Sequence, residues 1–283
     1  MLKFFSRLLA QLSLKQIHWL GGWMGRMLFF FSPASALIQK SNLTQSNLVQ
    51  LNIEHILNIN AKESGKSLLE TLAIWGKDDR KLLKLVKKIH GWGIIEEAIL
   101  AKKGIIFLTP HLGCFEITSI YYGSIYPLTV LYRPSKLKFL QYQIEQGRQR
   151  NGVKLAEANT GGVRKLMQAL KRGEAIGILP DQIPAEGEGE WAPFFGKPAY
   201  TMTLASKLAV KTGATVIMVF GERLPNGLGY EIHLSKVDSI ATPALLNQAI
   251  ETQISQKPEQ YLWQYNRYKV RRHAMQKMDA PSV

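Results

Sequence analysis

The chain of 283 residues has a single cysteine, Cys114. An internal disulfide is therefore excluded, and so is any zinc site built from several cysteines; one thiol fits a reducing compartment. Acidic residues are scarce too, with 21 Asp and Glu against 36 Lys and Arg and a formal charge of +15. That surplus calls for an anionic partner: nucleic acid, acidic lipid or an acidic protein. Long apolar runs are missing as well. A spanning helix wants about 20 predominantly apolar residues, and no stretch reaches that length without a charge or a glycine cluster. No repeat and no flexible linker divides the chain. What is present, 46% hydrophobic and 10% aromatic residues, rules out disorder and allows a sizeable core.

Residues 1–40 are the apolar anomaly. Ile17 to Phe31 is rich in aromatic residues but interrupted by Arg26. An interfacial segment fits, with Trp19, Trp23 and Phe29 to Phe31 inserted and Lys3, Arg7, Lys15 and Arg26 facing headgroups. Ala34-Ser-Ala36 mimics a signal-peptide cleavage site, but the continuous apolar core before it, Met27 to Phe31, is too short. The plain alternative is a core helix that happens to be aromatic-rich. From Ser41 to Leu100 the periodicity predicts helices, marked by Leu48, Leu51, His55 and Leu57, by Leu68, Leu69, Leu72 and Trp75, and by Leu82, Leu85, Val86 and Ile89.

The stretch on which the chain turns is Gly104-Ile-Ile-Phe-Leu-Thr-Pro-His-Leu-Gly-Cys-Phe-Glu116. Its β-formers, entered at a glycine and left at a proline, predict a strand buried on both faces, as in a parallel sheet. His111 then falls just past the strand's C-terminal end, the edge where open α/β sheets bind ligands. Two residues five apart on one helix point about 140° away from each other. A turn over Pro110 to Gly113 followed by a helix from Cys114 would instead let Glu116 reach back to the imidazole, fix its tautomer and leave the other nitrogen as a base. Helix-start N–H groups near Gly113 and Cys114 are candidate oxyanion donors. His111, Cys114 and Glu116 as metal ligands would lack a second His/Cys cluster, and Cys114 has no reason to meet the ring as a nucleophile.

Further strands are expected at Pro127 to Tyr132, Ala175 to Leu179, Ala214 to Phe220 and Gly229 to Leu234, the last at a sheet edge. Helices are expected at Ser135 to Gln149, Thr160 to Arg172, Met202 to Lys211 and Pro243 to Ser255. Residues 133–172 hold ten lysines and arginines against two glutamates. Arg133, Arg148, Arg150 and Arg164 gather there between two strand ends, a candidate phosphate-binding surface with Arg133 best placed. Asp181, at the exit of another strand, is a candidate substrate contact. Ala185 to Pro198 reads as a flexible lid.

Leu108-Thr-Pro-His-Leu-Gly-Cys-Phe-Glu116, Asp181-Gln182 with Phe194-Phe195-Gly196, and the aromatic, basic ending from Tyr261 to Arg272 resemble the glycerolipid acyltransferase superfamily in its late lipid A acyltransferase branch. Counterparts of Asn47-Leu48 and Glu70 recur in that family. The resemblance implies a fatty acyl transfer from acyl carrier protein to a hydroxyacyl chain of a lipid A precursor at the bacterial inner membrane. It implies His111 and Glu116 as the catalytic pair and supports Asp181 as a substrate contact, while Arg133, Arg148 and Arg164 are substrate-binding candidates by their charge and position. Neither a cofactor nor a metal is expected. The expected fold is α/β, a mixed and mostly parallel central sheet flanked by helices. Residues 1–40 would form a membrane-associating helical leader, peripheral or monotopic on the cytoplasmic face, and residues 41–283 one acyltransferase domain. Two alternatives stay open: another lysolipid or glycolipid acceptor, and a non-catalytic protein that binds nucleic acid. The latter lacks any helix-turn-helix, zinc or RNA-binding signature.

Overall fold

The computed structural model describes residues 2–48, 52–135 and 137–269, without the side chains of Leu2, Lys3, Phe4 and Phe139. Leu51, Arg271 and Arg272, named above, lie outside it. Four helices lead: α1 (Leu2–Gln11), α2 (Leu14–Phe31), α3 (Pro33–Gln45) and α4 (Ile53–Gly76). Ser13 and Gln16 close a reciprocal capping box at the start of α2, and Pro33 at the first position of α3 breaks the chain from it. Then come α5 (Asp79–Leu83), β1 (Val86–His90), α6 (Trp92–Ala101), β2 (Ile105–Leu108), α7 (Phe115–Gly123), β3 (Leu128–Tyr132), α8 (Lys138–Arg148), β4 (Val153–Glu157), α9 (Thr160–Lys171) and β5 (Ala175–Ile178). The chain continues through β6 (Gly189–Phe194), β7 (Lys197–Met202), α10 (Leu204–Thr212), β8 (Thr215–Arg223), β9 (Tyr230–Val237) and α11 (Pro243–Ser255). A strap over residues 258–269 ends the described chain.

The central sheet has the order β1-β9-β8-β2-β5-β3-β4. Every neighbouring pair is parallel except β8 and β9, so the mixed, mostly parallel sheet expected from the apolar strands is observed. Side chains alternate between its faces. Ile106, Leu108, Ile176, Ile178, Met218 and Phe220 pack on one side against α9, α10 and α11. Ile105, Phe107, Val130, Ile217, Val219 and Ile232 pack on the other against α6 and Tyr122 of α7.

Four expectations change. Val86 and Ile89 belong to an edge strand rather than a helix, because Asp78 caps a five-residue helix and the next segment pairs in parallel with β9. β9 is accordingly internal and β1 is the edge. Val153–Glu157 forms β4, a strand with no clear alternation of its own that is recruited by β3. The expected lid is largely an antiparallel hairpin of β6 and β7, turned at Phe195 and Gly196 with φ of 47° and 75°.

The N-terminal helices join this body closely. Gly21 and Gly25 of α2 meet Ala61 and Gly65 of α4 so tightly that a Cβ on Gly25 would stand 2.0 Å from the Ala61 carbonyl oxygen. Ile17 and His18 are buried on that side, whereas Trp19, Trp23, Met27, Phe30 and Phe31 are exposed. Phe29 is half-buried. Among the described residues no helix is long and apolar enough to cross a membrane.

Candidate active site

The site grows from the parallel register of two central strands. Leu108 of β2 pairs with Ile178 of β5, and three residues beyond each lie His111 and Asp181. Both strands leave the sheet through a proline, Pro110 and Pro180, which cannot donate to a ladder and so ends it. The two chains stay level past the last rung. Asp181 Oδ2 accepts from the His111 backbone N–H at 2.9 Å, and Oδ1 lies 2.8 Å from Nδ1. Burial would raise the Asp181 carboxyl, but the imidazole and the hydrogen bonds from the His111 ring and backbone N–H outweigh that and hold it below the ordinary carboxylate value. An ionised Asp181 only accepts, so Nδ1 carries a proton and Nε2 is left to act as a base. The Gln182 side-chain amide nitrogen sits 3.3 Å from Nε2 and, with Nδ1 carrying the proton, donates to it.

Glu116 does not reach the imidazole. Its carboxylate, almost fully buried, is gripped by Arg148 from the last turn of α8, with Nε 2.9 Å and Nη2 2.5 Å from Oε1. The expected Glu116–His111 contact is therefore replaced by two separate pairs, Asp181 with His111 and Arg148 with Glu116. Helix α7 starts at Phe115, so Glu116 is in its first turn as expected, but a guanidinium brought in by α8 satisfies its charge. The oxyanion expectation also changes, because the Gly113 N–H donates to the Gln260 carbonyl at 3.1 Å and the Cys114 N–H to the Gly221 carbonyl at 2.7 Å. Gly113 has φ of 60°, and a Cβ there would meet the Gly221 oxygen at 2.1 Å, so this turn requires glycine. Cys114 is buried, and burial pushes its thiol well above the ordinary value; it is packing, not a nucleophile.

At the Glu116–Arg148 pair opens a pocket enclosing about 670 Å³ of non-protein space, open solvent at its mouth included; His111 and Asp181 do not line it, but Phe115, whose ring centroid is 5.0 Å from that of His111, does. Thr109, Phe115, Glu116 and Arg148 line it together with Phe107, Tyr122, Val130, Val219 and Leu234 from the sheet face and α7. Gly177 contributes a side-chain-free patch of β5. The pocket thus joins an apolar bore to one buried ion pair.

The other basic candidates divide. Arg133 follows β3 at the same sheet edge, and Arg164 lies in the first turns of α9; both are exposed. Arg150 instead ties the end of α4 to the start of α5, bonding the carbonyls of Ile74 and Lys77 and the Asp79 carboxylate. Among the described residues one group, His90, Glu231 and His233, brings metal-ligand atoms within 4.8 Å of one another. It lies on the sheet face opposite the pocket. There His90 Nε2 meets Glu231 at 2.7 Å and His233 Nε2 meets Glu222 at 2.8 Å.

Spacing along the chain does not pair His111 with Asp181, although the sequence holds a signal for it. Leu108-Thr-Pro-His111 and Ile178-Leu-Pro-Asp181 are two strand exits of one pattern, apolar-x-Pro-polar, and in a parallel pair of equal register such exits meet.

The chain is 26% identical to the lipid A biosynthesis lauroyltransferase of Escherichia coli (strain K12) over 93% of its length and 89% of that protein's. It is 26% identical to the palmitoleoyltransferase of the same strain over 77% and 72%, and 24% identical to the myristoyltransferase over 62% and 56%. Residues 2–270 match the family described as bacterial lipid A biosynthesis acyltransferase, and the chain belongs to that family.

Proposed function

We propose that this acyltransferase moves a fatty acyl chain from an acyl carrier protein thioester to a hydroxyl of a lipid A precursor. His111 Nε2 takes the proton as the acceptor oxygen attacks the thioester carbonyl. The tetrahedral intermediate collapses with loss of the thiolate, to which the imidazolium returns the proton. Asp181 holds the ring in the required tautomer and offsets the imidazolium charge. The observation that carries this reading is an imidazole with one nitrogen fixed by a buried carboxylate, packed on the Phe115 ring that lines an apolar pocket suited to an acyl chain. Arg148, oriented by Glu116, keeps N–H donors beyond those bonded to the carboxylate, and these serve the thioester carbonyl or an anionic group beside it. Arg133 and Arg164 contact phosphates of the acceptor or of the donor's phosphopantetheine, and residues 41–283 act as one acyltransferase unit. Purified protein should transfer acyl groups from a panel of carrier thioesters to a lipid A precursor, read by mass spectrometry. No product with any donor would end this reading.

The protein docks on the cytoplasmic face of the inner membrane through the outer face of the N-terminal helices. Trp19, Trp23, Met27 and Phe30 recur at helical spacing on the face turned away from α4, and each is exposed, Trp19 by 71% and Phe30 by 76%. Arg7, Lys15 and Arg26 are exposed around them. Apolar burial is not screened by salt, whereas attraction between exposed charges is screened over about 10 Å. Flotation with anionic liposomes should therefore survive high salt in the wild type and become salt-sensitive when Trp19, Trp23, Phe30 and Phe31 are replaced by serine. Equal release of both would assign these side chains no membrane role.

A further inference from the structure

The turn that carries His111 is held from below by a charged group that the reaction scheme leaves unused. Arg223, the last residue of β8, is 3% exposed, and its guanidinium fork has three different partners. Nε donates to Glu70 Oε1 at 2.6 Å, Nη1 to Glu63 Oε2 at 3.2 Å and Nη2 to the Gly113 carbonyl oxygen at 2.6 Å. Glu70, 1% exposed, has its second oxygen 3.1 Å from His18 Nε2 of α2 and accepts there from the Tyr230 hydroxyl at 3.2 Å. Burial alone would raise the Glu70 carboxyl, but Arg223 and His18 outweigh it and hold it below the ordinary value, so it stands ionised against the guanidinium. Lys66 pairs with Glu63 and completes the charge balance.

Removing such charges from water is expensive, and apolar packing of the same volume is often as stable or more so. Stability of the helix interface therefore does not explain the cluster. One of its contacts does something apolar packing cannot do: it places a donor on the carbonyl of Gly113, two residues from the base. The same turn is fixed from above by the strap, whose Leu262 N–H donates to the His111 carbonyl at 3.1 Å and whose Gln260 carbonyl accepts from Gly113. Gln260 also clasps the Arg223 backbone, with Oε1 accepting from its N–H at 2.9 Å and Nε2 donating to its carbonyl at 3.1 Å. The guanidinium, the strap and the turn are thus one connected frame.

We propose that Arg223, anchored by Glu70 and Glu63, is a positioning residue for the reaction, setting the Gly113 carbonyl and through it the aim of the His111 ring. His18 ties this post to α2, so the N-terminal leader is part of the frame of the active site. The proposal rests on His111 being the base, and its test separates the two ideas. Arg223→Lys keeps a cation between Glu70 and Glu63 but lacks the planar fork needed to reach Gly113 as well. In protein that melts within a few degrees of wild type, kcat should fall roughly 10–100-fold, because a small misplacement of a reacting group costs about that much. The KM for donor and acceptor should stay unchanged, since Arg223 touches neither. The ring signals of His111 in nitrogen-15 histidine NMR of the free protein should also move, and that measurement needs no substrate. Glu70→Gln, which keeps the shape and loses the charge, should shift both readouts in the same direction by less. Wild-type kcat and wild-type His111 signals in either folded variant would overturn the proposal. Absence of transfer by the wild type would count against the acyl-transfer reading alone, with the ring signals still deciding whether Arg223 sets the turn.

Discussion

Two carboxylates stand at the C-terminal edge of the sheet, equally buried and differently employed. Asp181, in the exit loop of β5, meets an imidazole; Glu116, in the first turn of α7, meets a guanidinium. A carboxylate against a neutral ring decides which nitrogen keeps a lone pair, and so makes a base. A carboxylate against arginine has no proton to direct, and fixes the planar fork of a cation in place. Proximity along the chain favoured Glu116 for the first task. Position in the sheet assigns that task to Asp181, since residues level in a parallel register lie closer than residues five apart across a turn.

The comparison is most directly broken at the ring. His111→Ala should lower turnover by about 10²–10⁴-fold with folding intact, the usual weight of a general base. Asp181→Asn should follow at about a hundredfold or more by disturbing the tautomer. Full turnover in a folded His111→Ala protein would remove the mechanism. Glu116→Gln should act less on kcat than Asp181→Asn and more on KM, through a loosened Arg148. Steady-state kinetics of the two variants side by side decide this, and the reverse ranking would mean that substrate binding brings Glu116 to the imidazole. Arg133→Ala should raise KM severalfold, with only partial rescue by Arg133→Lys if the contact is bidentate; unchanged saturation by both substrates would return Arg133 to the solvated surface. The smallest effect expected is on stability in acid. Asp181 and Glu70 have lowered carboxyl values in the folded protein. Their contributions are complete above the unfolded values near pH 4 and are lost as pH falls through the lowered ones. The Asp181 and Glu70 share of the urea midpoint should therefore be constant down to about pH 5 and be lost below it, so that the acid fall is shallower in Asp181→Asn than in the wild type.

Much of this was legible because the signals are local. Ile105–Leu108 and Thr215–Arg223 declare themselves as buried strands by apolar runs, and Pro243–Ser255 by its threonine cap and first-turn proline. Val86–His90 was not legible, since Leu82, Leu85, Val86 and Ile89 fit a helical stripe and only pairing with β9 makes the segment a strand. The charge and position of Arg148 make it a candidate in the sequence, but its partner is not legible there, because the contact joins α7 to α8 across 32 residues. Arg223 is not legible at all. Nothing around it in the chain announces that its guanidinium ends beneath Gly113.

From composition and motif alone came the α/β class, the histidine at a strand exit, the basic surface and the aromatic face of the leader. These depend on periodicity, on proline and glycine at strand ends and on charge, all properties of neighbouring residues. Only the tertiary structure decided which carboxylate serves the imidazole, which arginines are bound and which are free, and that His18 of the leader reaches the frame of the active site. Those choices depend on strand order and helix approach, which bring residues tens to hundreds of positions apart within hydrogen-bond distance, and hydrogen bonds a few ångströms long have no counterpart in spacing along the chain.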